Sequence, residues 1–249
     1  MRGFFKGFLI GTVCVCALAL VWLSILRPEL TTYETDVLKT AYTQPGPGAN
    51  SPGAGSLPAG ERPETAALDF AALRADYPDI RAWLTIPDTV VDYPVLQSSA
   101  SDPEYYLRRN YKGEYRMAGS LFFQADCSLD GKALVVYGHN MADGTMFGCL
   151  TKYLDAAYCG EHGQITLQTT DGVRQYTVAA VLETDIGQIP FNRTVFADDA
   201  DFLEHTRILL DSAQIKTGVP ITADSRLLAL VTCSYAGPDV RIVVVGVQT

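Results

Sequence analysis

Histidine, basic residues and charge in general are in short supply in this 249-residue chain, and each shortage removes a class of function. Lys and Arg number 19 against 28 Asp and Glu, a formal net charge of -9. Sequence-independent binding of nucleic acid relies on clustered cations against phosphates, so no DNA or RNA partner is expected. With three histidines and six cysteines, and no Cys-x-x-Cys pair, the spacing of a zinc site is missing. No acidic cluster calls for calcium, and the chain is expected to hold no metal and no other cofactor. No internal repeat occurs, which removes solenoids and propellers. Charged residues make up only 19% while hydrophobic ones reach 48%, so the chain buries a core and is not disordered overall.

One long apolar run is present. Gly7 to Leu26 holds no charged side chain over 20 residues, and at about 1.5 Å per residue it reaches roughly the thickness of a bilayer core. Arg2 and Lys6 precede it, and the segment after Arg27 is acidic, so the positive-inside bias predicts a single-pass signal anchor with the N-terminus in the cytoplasm. A cleaved signal peptide is the competing reading, and Leu23-Ser24-Ile25-Leu26-Arg27-Pro28 is a poor cleavage site for it. Between Gln44 and Glu64, 10 of 21 residues are Pro or Gly, a composition that reads as a tether. The expected organisation is therefore residues 1–27 as cytoplasmic tip and membrane anchor, 28–67 as an extracellular Pro/Gly-rich linker, and 68–249 as one folded domain.

Within that domain the pattern predicts a mainly β fold. Leu68 to Tyr77 has helical spacing and stops before Pro78. Eight strands follow: Ala82–Ile86, Val90–Leu96, Gly119–Phe123, Ala133–Tyr137, Gln164–Thr169, Gln175–Thr184, Leu227–Cys233 and Arg241–Val247. They are short, β-branched or aromatic, and separated by Gly, Pro, Asp or Ser turns, which suggests a barrel. One helix interrupts them, about Asp198 to Ser212, with Phe202, Leu203, Ile208 and Leu209 available for a buried face and acidic residues at its start.

Candidate chemistry clusters at strand ends. His139 lies just beyond the strand Ala133–Tyr137, Cys233 closes Leu227–Cys233, and Arg241 opens the last strand. If the last two strands pair across Ser234–Val240, Cys233 and Arg241 face each other. A thiolate attacking a carbonyl, an imidazole carrying a proton and a guanidinium stabilising an oxyanion would then each have one task. The blander alternatives are a small buried hydrophobe for Cys233, a satisfied polar residue for His139 and a surface ion pair for Arg241. His162 and His205 are assigned no chemistry.

These same residues carry a resemblance. Tyr137-Gly138-His139-Asn140-Met141 followed by Asp143-Gly144-Thr145-Met146-Phe147, the ending Leu230-Val231-Thr232-Cys233, and Arg241-Ile242-Val243-Val244 resemble the motifs of class B sortases. Ala82-Trp83-Leu84-Thr85-Ile86-Pro87, Val91–Gln97 and Glu104-Tyr105-Tyr106-Leu107 are similar too, so the likeness covers roughly Asp79 to Val247. It implies an eight-stranded sortase-type barrel with a leading helix and an added helix between strands six and seven. It also implies a membrane-anchored cysteine transpeptidase of Gram-positive type, which cleaves a C-terminal sorting signal of Pro-x-Thr kind. The cleaved surface protein is held as a thioester and passed to a peptidoglycan cross-bridge or pilin lysine amine. On that resemblance Cys233 is the nucleophile, His139 the general acid and base, Arg241 the stabiliser, and Thr232 a substrate-binding residue. Ala229 stands where the family signature has its first Thr, and Ser98–Pro103 departs from the usual pattern.

Cys127, Cys149 and Cys159 remain; Cys149 and Cys159 can pair, or all three are buried thiols. Ordinary pKa values near 8.5 and 6.5 make neutral thiol plus neutral imidazole the main form near pH 7, with a minor active population and a bell-shaped rate profile. The rival functions are an L,D-transpeptidase-like peptidoglycan enzyme, whose motif packs His, Cys and Arg far closer in sequence, and a non-catalytic surface protein with a buried Cys233.

Overall fold

The structure is a computed structural model that describes residues 27–43 and 68–249. Among the described residues nine strands occur: β1 (Ile80–Thr85), β2 (Asp92–Gln97), β3 (Leu121–Phe123), β4 (Ala133–Tyr137), β5 (Gln164–Thr169), β6 (Gly172–Asp185), β7 (Ile215–Lys216), β8 (Leu227–Cys233) and β9 (Val240–Gln248). Eight of them run in the order β5-β1-β2-β3-β4-β8-β9-β6, and β6 pairs back onto β5 to close the barrel. The two-residue β7 adds only to the far half of β6, at Ala180 and Val181. All neighbours are antiparallel except β2–β3 and β4–β8. The expected eight-stranded barrel is the one observed.

Strand alternation explains how the barrel is filled and covered. Val136, Leu228, Leu230, Ile242 and Val244 face an interior packed with Leu84, Val95, Leu121 and Leu167. Their neighbours Val135, Ala229, Val231, Val243 and Val245 face outward, beneath Phe202 and Leu209. Because both faces of β8 are buried, it reads in sequence as a nearly unbroken apolar run.

Among the described residues four α-helices flank the barrel. They are α1 (Arg27–Tyr42), α2 (Phe70–Asp76), α3 (Ala156–Glu161) and α4 (Asp199–Ser212), with 3-10 turns at Tyr105–Arg108 and Gly148–Leu154. The leading helix and the helix between β6 and β7 match expectation. Asp198 caps α4 by accepting from the Asp201 amide at 2.9 Å. The buried face of α4 is Phe202, His205, Thr206 and Leu209, while Leu203 is exposed. Spacings of three and four residues from Phe202 place His205 and Thr206 inward and turn Leu203 away.

Two expectations need correction. The segment 28–67 is not wholly a linker, because α1 docks on the barrel. Leu38 is 3% exposed, Lys39 pairs with Asp92 at 2.5 Å, and Glu34 pairs with Arg116. Thr43 and Leu68 form a bridge and the Asp69 amide donates to Tyr42 O at 2.8 Å, so the end of α1 lies against the start of the barrel domain. The single-pass membrane topology is also overturned: among the described residues no helix is long and apolar enough to cross a membrane. The run Gly7 to Leu26 on which that expectation rested, with Cys14 and Cys16 in it, lies outside the described residues, as does 44–67.

Candidate active site

Two strand pairings bring distant residues together. In the parallel β4–β8 ladder Tyr137 stands opposite Val231, so two residues further on His139 and Cys233 leave the sheet side by side although 94 positions separate them. In the antiparallel β8–β9 ladder Cys233 is paired directly with Arg241. Phe122, Tyr137, Val231, Cys233 and Arg241 come from four adjacent strands and line an outer cleft of about 420 Å³. Its walls are Pro103, Glu104 and Leu107 on one side, and Ile186, Phe191 and Asn192 on the other.

Cys233 is exposed, whereas Cys149 and Cys159 are buried and Cys127 is half-buried. All four are free thiols, so no Cys149–Cys159 disulfide forms. Burial pushes the Cys127 thiol up to about 11 and raises those of Cys149 and Cys159 as well. These three stay protonated and poorly nucleophilic.

The His139 Nε2–H donates to Leu107 O at 2.8 Å. A carbonyl only accepts, so this bond fixes the neutral tautomer and leaves Nδ1 as the basic nitrogen. Burial pulls the His139 pKa below the ordinary value; the Leu107 bond opposes this, and nearby Arg108 adds to it. The loop carrying the ring is shaped by close packing. A Cβ on Gly138 would lie 2.4 Å from Leu121 Cδ2 and 2.7 Å from Phe147 Cδ2, so only glycine fits beside the histidine.

Arg241 Nη1 donates to Pro238 O at 2.9 Å and Val240 O at 3.0 Å. Among the described residues it forms no ion pair, which leaves its charge available to the cleft. Thr232 borders the cleft but is 2% exposed, and its hydroxyl donates to Gly138 O at 2.8 Å. Ala229 shares the outward face of β8 with Cys233 and packs with Phe202 and Leu209 under α4.

Gln124 and Asn192 in the cleft wall had no sequence signal of their own. Tyr137 donates to Gln124 Oε1 at 2.8 Å, and Gln124 Nε2 donates to Asn192 O at the same distance, fixing one end of the cleft. Asn140 Nδ2 donates to Cys233 O at 2.8 Å. Its place beside His139 was visible, but its partner was not. No group of metal-ligating side chains occurs among the described residues.

A closed barrel with thiol, imidazole and guanidinium on one outer cleft defines a class of cysteine-centred β-barrel proteins. Known proteins give that class its name. The family described as Sortase, the sortase domain, matches residues 84–249. Sortase B of Listeria monocytogenes is 36% identical over 159 residues, 62% of this chain and 63% of that protein's length. Two solved structures superpose well. Clostridium perfringens sortase B gives a TM-score of 0.68 at 27% identity, covering 72% of this chain and 98% of that one. A Staphylococcus aureus sortase B–substrate complex gives 0.67 at 29%, covering 72% and 84%. The chain belongs to the sortase family, and within it to class B.

Proposed function

We propose that this protein is a cysteine transpeptidase that cleaves a C-terminal sorting signal of Pro-x-Thr type, related to Asn-Pro-x-Thr, and transfers the upstream protein to an amine acceptor. Cys233 Sγ, as thiolate, attacks the carbonyl carbon of the Thr, and Arg241 stabilises the developing oxyanion. Protonated His139 gives its proton to the departing amine, the C–N bond breaks, and a thioester remains on Cys233. An acceptor amine, from a peptidoglycan cross-bridge or a pilin lysine, then loses its proton to the imidazole and displaces the thiolate. Thr232 borders the bound signal.

The observation that carries this reading is the convergence of His139, Cys233 and Arg241 at one strand end through two independent ladders. Membership of the class B sortases supports the substrate class, and a substrate is bound in the S. aureus sortase B complex. An exposed Cys233 beside buried thiols weighs against a non-catalytic barrel.

The test is intact mass of the full-length protein and Cys233→Ala with a panel of Pro-x-Thr peptides. A covalent adduct on the wild type alone, released by a small amine, supports the proposal. A wild type that forms no adduct with any peptide, and whose Cys233 resists alkylation in the native state, overturns it.

A further inference from the structure

The β4–β8 ladder ends two residues before both the histidine and the cysteine, yet the two strands stay bonded past that point. The Gly138 amide donates to Val231 O at 3.1 Å. Beyond it the backbone ladder gives way to side chains: the Thr232 hydroxyl donates to Gly138 O, and the Asn140 amide donates to Cys233 O, both at 2.8 Å. The bonds cross, one running from the cysteine strand to the histidine loop and one from the histidine loop to the cysteine strand. The residues joined flank or contain both reacting groups.

Asn140 is oriented by chemistry, since a carbonyl oxygen can only face its Nδ2. The amide holds this bond at a cost, because its Oδ1 is buried without a partner among the described residues. An Asn140↔Met146 bridge and the Phe147 amide donating to His139 O at 3.0 Å close the loop behind it. Asn140 is thus fixed from one side and spends its donor on the nucleophile's own carbonyl.

We propose that Asn140 is a positioning residue, forming with Thr232 a crossed clamp that holds His139 and Cys233 in register beyond the end of the sheet. This rests on the transpeptidase reading for its purpose, but the clamp itself is measurable without substrate. Neither residue touches reacting atoms; each acts through the backbone of the group beside it, and misplacement by about 1 Å is enough to cost about 100-fold in rate.

The experiment uses full-length protein in wild-type, Asn140→Ala, Thr232→Val, Thr232→Ser and His139→Ala forms. The rate of native-state alkylation of Cys233 by iodoacetamide is followed against pH, with the site assigned by peptide mass. The wild-type profile is expected to show an inflection that His139→Ala abolishes. Asn140→Ala and Thr232→Val are expected to lose it as well, at unchanged far-ultraviolet circular dichroism, whereas Thr232→Ser retains it. With an acylating peptide, the two disruptive variants lower kcat by about 10- to 100-fold and leave KM within about twofold. An Asn140→Ala profile superimposable on wild type overturns the clamp, as does a wild-type profile without a His139 inflection. If the inflection behaves as expected but no peptide acylates Cys233, the Pro-x-Thr substrate class fails and the clamp stands.

Discussion

His205 places an ionisable ring at 1% exposure on the inner face of α4, with Nδ1 unpartnered among the described residues and the Phe196 ring alongside. Burial, with Arg193 adding to it, lowers its pKa to about 4. In the unfolded chain the ring binds a proton near pH 6.5, whereas in the fold it does not until about pH 4. The unfolded state therefore binds more protons in that window, and stability falls as pH drops through it, by up to about 3 kcal/mol. Urea titrations at pH 7 and pH 4.5 should show a smaller acid loss for His205→Gln than for wild type. Gly138→Ala is expected to cost about 1–3 kcal/mol, through overpacking against Leu121 and Phe147. Thermal melts measure that loss, and slower Cys233 alkylation would report a displaced His139. At this scale His139, Cys233 and Arg241 were legible because each stands at the edge of an apolar run. His205 was not, because whether a ring on a helix is buried depends on what packs above it. The Asn140–Cys233 bond joins residues 93 apart, and no local pattern announces such a contact.

Elements differ in how much of their fate is local. The eight barrel strands were legible from β-branched runs between turn residues, whereas β7 is two residues long and exists only because Gln214 and its neighbours meet β6. Gln214 clamps Glu183 twice, accepting from its amide at 2.8 Å and donating to its carbonyl at 3.1 Å. The Glu183 carboxylate accepts in turn from the Ser234 hydroxyl, next to the nucleophile. Glu183→Ala should therefore raise hydrogen exchange of the 234–240 loop while sparing the far end of the barrel. Helix α1 read as linker because only Thr35 and Leu38 are buried among the side chains described from it, too sparse a stripe to register as amphipathic. Its hold runs through polar hubs: Asp92 accepts from Lys39, from Trp83 Nε1 at 2.6 Å and from Thr85 Oγ1 at 3.0 Å. Leu38→Ala is expected to cost about 2–3 kcal/mol of docking, read as faster exchange of amides 32–43 against an unchanged barrel.

For the molecule as a whole, the decisive contacts are between chain segments far apart in sequence. β4 meets β8 and β1 meets β5 only after long excursions, and each loop must close before its ladder stabilises anything. Refolding is therefore expected in milliseconds to seconds or slower, measurable by stopped-flow fluorescence from denaturant. The same topology separates the barrel's two ends. β6 runs 14 residues from the Thr169–Gly172 turn to Asp185, close to where Arg241 pairs with Thr184. At about 3.3 Å per residue about 40 Å of β6 lies between the turn and Asp185, and neither Thr170 nor Asp171 lines the cleft. Thr170 and Asp171 are exposed there, and a Cβ on Gly172 would meet nothing within 4 Å. That tip is a port for engineering: a dye, an epitope or a second folded module spliced between Thr170 and Asp171 would ride on the enzyme without entering its chemistry.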